Sequence, residues 1–370
     1  MVEGEPKFEE EKTEEPKRKS AISKVVGSTP KQEEEVLGLA EERFKKIDYF
    51  VDIPDLEKTP EQIEIINGIL DKLPDFLKKY GATTLDITPN QIRFIENNKT
   101  SEEFIKKFNI SDDYAGVYYP KKQLLIVIDQ KDNLINAEVV LHELIHASSF
   151  NSLEVDSLEL SKLKEALGTS MEELGLDIGL DMPPIHDCIM RVRRTGFSVH
   201  SKKNNEVYFD QINEAVTEEL VKRFDQEYFG SINGISGRVK ERQDYIANIL
   251  KEHPDSKDLE NNEGLLLSDI AIVNPQSGEY RPYTYIKERG ILKTLIRDIF
   301  ESRHNQGRFE SEEQVFNVFA KAAMTGKLLE ISRLIEKTYH EGSFKKTKEV
   351  HGKGTFRKLG ELTRHVPKND

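Results

Sequence analysis

Ala137 to Ser149 reads AEVVLHELIHASS and places His142, Glu143 and His146 in an H-E-x-x-H pattern. No other stretch restricts the fold as strongly. On a helix, positions i and i+4 stand one above the other, so both imidazoles point at a common atom. Glu143 projects about 100° round the axis and reaches a water held by a metal there more easily than the metal itself. Ala137, Val140, Leu141 and Leu144 make an apolar stripe that Val139, Ile145 and Ala147 widen. A helix apolar on nearly every side belongs in a protein interior. Two imidazoles and a carboxylate in such a buried turn are costly without partners, and a zinc ion is the partner this spacing suits.

The 370 residues have room for one large or two modest domains. A formal charge of −13 speaks against a nucleic-acid partner, which needs a basic face. The single cysteine, Cys188, leaves neither an intramolecular disulfide nor a cysteine-built zinc site. The first twenty residues lack the apolar core of a signal peptide, and no apolar run approaches the ~20 residues that span a bilayer. A cytoplasmic protein without membrane contact is the expectation.

Residues 1–46 alternate Glu and Lys blocks around Pro6, Pro16 and Pro30 and predict a disordered tail, with a solvated helix over Glu33–Lys46. Folded structure is expected from Ile47. Thr59-Pro60-Glu61-Gln62 marks a capped helix start, with Pro74 kinking or dividing the helix and Gly81 stopping it. A strand is expected over Gln91–Glu96, and a helix after Thr100 carrying Phe104, Ile105 and Phe108. Ala115–Tyr119 and Leu124–Ile128 read as a hairpin whose second strand lies at or near a sheet edge, where an extended peptide can add itself. From His146 to about Gly179 the pattern is polar and helical. Arg194–His200 and Glu206–Phe209 then predict a second hairpin.

A catalytic zinc site takes three protein ligands. The best source of the third is Gln211–Leu220, where Ile212, Ala215, Val216, Leu220 and Phe224 mark an amphipathic helix and Glu214 and Glu218 share a face. One carboxylate can bind metal while the other accepts the N–H of a ligand imidazole. A plain charged face accounts for Glu219 and Lys222.

His142-Glu143-Leu144-Ile145-His146 together with Asn213-Glu214-Ala215-Val216-Thr217-Glu218 resembles the gluzincin, or thermolysin-like, metallopeptidases. That resemblance implies Glu214 as third ligand and Glu218 as the partner of a ligand histidine, with Glu where Asp is usual. Glu214 lies 68 residues beyond His146, far past the usual spacing, which instead reaches Glu165; Glu165 lacks the flanking Asn and a second acid four residues on. The family also implies a Tyr or His that steadies an oxyanion, for which Tyr245, Tyr208 and His200 are candidates.

Beyond Phe224, a helix is expected over Val239–Lys251, a loop or short hairpin over Pro275–Tyr285, and helices over Ile291–Ser302, Ser311–Met324 and Leu328–Tyr339. The resemblance implies an α+β, zincin-like fold: an N-terminal lobe over 47–210 with a small mixed sheet, a mainly helical lobe over 211–340, and a basic tail over 341–370. It implies a zinc-dependent peptidase with Glu143 as general base, acting as an endopeptidase on extended peptide, since no aminopeptidase-type Gly-x-Met-Glu-Asn precedes His142. The alternative is a silent scaffold that holds zinc or peptide without cleaving it.

Overall fold

The computed structural model describes residues 17–27, 29–45, 55–96, 115–155, 190–202, 206–252, 267–274, 277 and 279–347. The expected helix after Thr100, Glu165, Cys188 and the tail beyond Thr347 lie outside them. The architecture is α+β, with helices around three small sheets.

Over the described residues between 17 and 45, strand β1 (Lys24–Val26) corrects the disordered-tail reading, and the helix expected over 33–46 is present as α1 (Pro30–Lys45) but packed, with Val36, Ala40 and Phe44 buried. Strand β1 pairs in parallel with β5 (Asn151–Val155), and Ile22, Val25, Val36 and Ala40 share a core with Leu153, Val155 and Met190. A few apolar side chains suffice there because β5 supplies the partner surface. Arg18 reaches further: its Nη2 donates to Ser148 O at 2.6 Å and its Nη1 to Ser149 O at 3.3 Å.

Helix α2 (Pro60–Lys78) begins with the expected reciprocal box: Gln62 N–H donates to Thr59 Oγ1 at 3.1 Å, and Thr59 N–H to Gln62 Oε1 at 2.9 Å. Pro74 does not divide it, and the helix runs on to Lys78 with Phe76 and Leu77 buried.

Strands β2 (Ile92–Ile95), β3 (Gly116–Tyr119) and β4 (Leu124–Ile128) form a sheet in the order β2-β4-β3. Strand β4 is therefore central, parallel to β2 and antiparallel to β3, which corrects its expected edge position. Its run of five buried residues serves two sides: Leu125 and Val127 join the main core, while Leu124, Ile126 and Ile128 meet Ile95 in another cluster. Among the described residues β2 and β3 are the two edges.

Helix α3 (Asn133–Ser148) carries the H-E-x-x-H pattern. It is capped by Asp132, whose side chain accepts from Leu134 N and Ile135 N at 2.9 and 3.1 Å. The chain then turns directly into β5, not into more helix. Strands β6 (Met190–Thr195), β7 (Ser198–His200) and β8 (Val207–Tyr208) complete a sheet in the order β1-β5-β6-β7-β8. The expected single strand over 194–200 is a tight hairpin turning at Gly196, whose φ of 54° is one that L side chains rarely adopt.

Helix α4 (Asp210–Tyr228) buries the expected Ile212, Ala215, Val216, Leu220 and Phe224. Helix α5 (Ser236–Glu252), the hairpin of β9 (Ile270–Val273) and β10 (Tyr280–Pro282), and helices α6 (Ile286–Glu301), α7 (Glu312–Thr325), α8 (Leu329–Thr338) and α9 (Ser343–Thr347) follow. The part of the expected basic tail that is described is packed: Ser343 and Thr347 are buried, and Phe344 stacks on Phe209. No described helix is long and apolar enough to cross a membrane.

Arg18→Met removes the donors that close the end of α3. We expect a loss of about 1–3 kcal/mol in urea unfolding, the cost of leaving buried carbonyls unpaired. A disordered tail would leave the midpoint unchanged.

Candidate metal centre

Helix α3 is held at both ends. Beyond the Asp132 cap, its last carbonyls are answered by side chains: Ser149 Oγ donates to His146 O at 2.7 Å, and Asn151 Nδ2 to His146 O and Ala147 O at 3.0 and 3.2 Å. Leu141, Leu144 and Ile145 are fully buried. The polar side chains His142 and Glu143 are thus fixed on the one side of the helix that faces a cleft.

Helix α4 crosses α3 and brings Glu214 and Glu218 to those histidines. His142 Nε2 and His146 Nε2 lie 3.0 Å apart, and Glu214 Oε2 lies 3.2 and 3.3 Å from them. A tetrahedral ion with bonds of about 2.0–2.1 Å sets its ligand atoms about 3.3 Å from one another, so the three spacings fit. The second carboxylate acts through the ring: His142 Nδ1 lies 2.9 Å from Glu218 Oε2, and with the proton held there Nε2 would be free to offer its lone pair to a metal. Two imidazoles and a carboxylate suit zinc and the neighbouring first-row dications. The His142, His146 and Glu214 group can hold a metal ion.

Electrostatics follow the geometry. Burial opposes a charged His142, yet the hydrogen bonds it donates to Glu214 and Glu218 outweigh it and raise its pKa well above the ordinary value. Burial likewise opposes ionisation of Glu214 and Glu218, but the adjacent imidazoles, with a main-chain N–H on Glu218, hold both below the usual carboxylate range. Glu143 moves the other way: burial raises it, more than His142 and His146 lower it.

The cleft at the centre has a volume of about 400 Å³. Its walls are Ala115 and Gly116 at the start of edge strand β3, Glu138, His142 and Glu143 from α3, and Glu218 with Thr284 and Tyr285 opposite. Gly116 is required by this approach, since a Cβ there would stand 2.5 Å from Val139 Cγ1 and 3.1 Å from Glu143 Oε1. Asn213 ties the Gly196 turn to the site: its Oδ1 accepts Phe197 N–H at 2.8 Å. Its Nδ2 stands 3.5 Å from His146 Nδ1, too far to fix that ring's tautomer.

The structure therefore joins His142, His146, Glu214 and Glu218 and puts Glu143 in the same cleft. It does not put Tyr245, Tyr208 or His200 among the cleft-lining residues; Tyr208 instead donates to Glu206 at 2.9 Å. The aromatic residue in the cleft is Tyr285, whose ring stacks on His142 at 5.7 Å and 18°. It precedes α6 in a left-handed conformation, φ 53°. Its only sequence signal was membership of the Tyr cluster over 280–285. Glu219 and Lys222 also depart from expectation. Lys222 is buried with its Nζ 2.9 Å from Asp269, and Glu219 meets Arg289 at 3.2 Å, so this face of α4 is an internal charge network.

Comparison with family models, with curated proteins and with solved structures yields no match. Functional inference therefore rests on this geometry. Purified protein loaded and dialysed against zinc is expected to retain one equivalent by atomic absorption, and His146→Ala to retain none. Glu218→Gln should keep the fold by circular dichroism and weaken the metal about 10–100-fold, the usual penalty for losing a partner of a ligand histidine.

Proposed function

We propose that the protein is a zinc-dependent peptidase of gluzincin-like design, cleaving within extended peptide segments. The observation that carries this reading is the meeting of three ligand atoms, from two helices whose motifs lie far apart in the chain, at a cleft that His142 and Glu143 line. His142, His146 and Glu214 would hold the zinc ion, which when bound would supply Lewis acidity towards a scissile carbonyl and a water.

The chain's own residues do the rest. Glu143 takes the proton of the attacking water on its carboxylate and delivers it to the nitrogen of the leaving amine. Glu218 keeps the proton on His142 Nδ1 and the ring in place. Tyr285, fixed over His142, is the phenol we assign to the developing oxyanion, in place of Tyr245, Tyr208 or His200. The edge of β3 beside Glu143 offers main-chain groups along which an extended peptide can lie. The expected substrate strand is thus β3, not β4.

Glu143→Gln should keep its zinc and lose nearly all cleavage of a quenched peptide; activity in the metal-loaded variant would refute the assignment. Tyr285→Phe should lower kcat about 10²-fold or more with KM little changed, the scale for losing one oxyanion donor. If Tyr208→Phe or Tyr245→Phe reproduces that loss and Tyr285→Phe does not, the oxyanion role belongs elsewhere.

A further inference from the structure

One acid in the cleft has no part in the steps above. Glu138 sits one helical turn before His142 on the same side of α3 and lines the cleft. It is 7% exposed, yet its Oε1 has no hydrogen-bond partner. Its Oε2 accepts from Arg281 Nη2. The Arg281 side chain is 38% exposed and that of Glu138 8%, so the guanidinium is the outer member of the pair. Burial pushes Glu138 up to about 8 against the pull of Arg281, the mark of a carboxylate with too little positive charge around it.

We propose that Glu138 selects peptides carrying a cationic side chain, Lys or Arg, close to the bond that sits over His142 and His146. This rests on the reading of the cleft as a peptide-binding site. The orphaned, nearly buried oxygen requires a donor, and a positive one contributes most where water is excluded. The balance of charge agrees: Glu138, Glu143 and Glu218 line the cleft with Arg281 as the single basic lining residue among those described. Distance separates a side chain from a free chain end. A substrate's α-amine stands about 2.5 Å from its own carbonyl carbon, fixed by covalent geometry. Glu138 precedes His142 by four residues, about 6 Å of helix rise. A long basic side chain spans that interval with reach to spare, whereas an α-amine needs its full hydrogen-bond length to approach it.

Metal-loaded Glu143→Gln protein binds peptide without turnover in this reading and is the right host for the test. The probes are fluorescein-labelled nonapeptides with acetylated N-termini and amidated C-termini, in which one Lys, norleucine or Glu is moved through a neutral background. Fluorescence anisotropy should show one position where Lys binds at least about tenfold tighter than norleucine, with Glu weakest. That Lys-to-norleucine ratio should fall towards one when Glu138→Gln is added and persist with Glu138→Asp. Equal binding of Lys and norleucine peptides at every position overturns the proposal, as does a preference that survives Glu138→Gln. So does tighter binding of unacetylated peptides that Glu138→Gln abolishes, since Glu138 then holds a chain end. Cleavage of the same peptides by the wild-type protein is scored separately: a Lys preference in binding without any cleavage removes the peptidase reading and keeps this one.

Discussion

Both oxygens of Glu218 are committed, and much of the site depends on that. Oε2 accepts the His142 Nδ1 proton at 2.9 Å, and Oε1 accepts Thr284 N–H at 2.7 Å. One carboxylate thereby joins α3, α4 and the segment that carries Tyr285. Behind it, Asp225 on the same helix binds Arg242 through both oxygens and accepts the Tyr283 hydroxyl, with no side-chain exposure on the acid. Tyr283 N–H donates to Asp269 O. Breaking a buried, bidentate pair of this kind is strongly unfavourable, so residues 283–285 are anchored while facing the cleft.

The opposite wall is set by α3, both of whose ends are closed by side chains. Asp132 closes one end, while Ser149, Asn151 and Arg18 close the other. Arg18 gives the N-terminal segment a function in positioning: it ties β1 to the helix one turn beyond His146. A cationic group at a helix C-terminus is also favoured by the helix dipole. Side chains on a helix so restrained keep the fraction-of-an-ångström placement that metal coordination needs.

How far the sequence revealed this depends on what kind of signal each element carried. Periodicity located α2 and α4, since each buries one stripe, and α3 stood out because it is apolar on nearly every side. Motif chemistry brought Glu214, 68 residues beyond His146, to the histidines, because ligand identity does not depend on the length of what lies between. Other features had no local signature. An all-apolar strand announces burial on both faces but not the number of its neighbours, so β4 read as an edge. The N-terminal segment averages as polar, while its few apolar residues, Ile22, Val25, Val36 and Ala40, are the ones that pack. Tyr285 reaches the cleft only because the β9–β10 hairpin and α6 fold back over α4, a non-local event invisible in its own neighbourhood.

Charge explains why these groups hold together best around a cation. Glu138, Glu143, Glu214 and Glu218 are gathered within one small region of two packed helices, each buried or nearly so, and Arg281 is the cation paired directly with one of them. Removing carboxylates from water in such numbers is costly, and the two imidazoles offset it only when protonated. A protonated His142 keeps both ring nitrogens as donors and turns no lone pair toward the centre. A dication among His142, His146 and Glu214 satisfies the nitrogen lone pairs and the carboxylate charges at once. It also leaves the Nδ1 proton on Glu218, the arrangement in which α3, α4 and the 283–285 segment all share hydrogen bonds. The metal, in this reading, is the counter-charge that lets an acidic cleft be built between two packed helices.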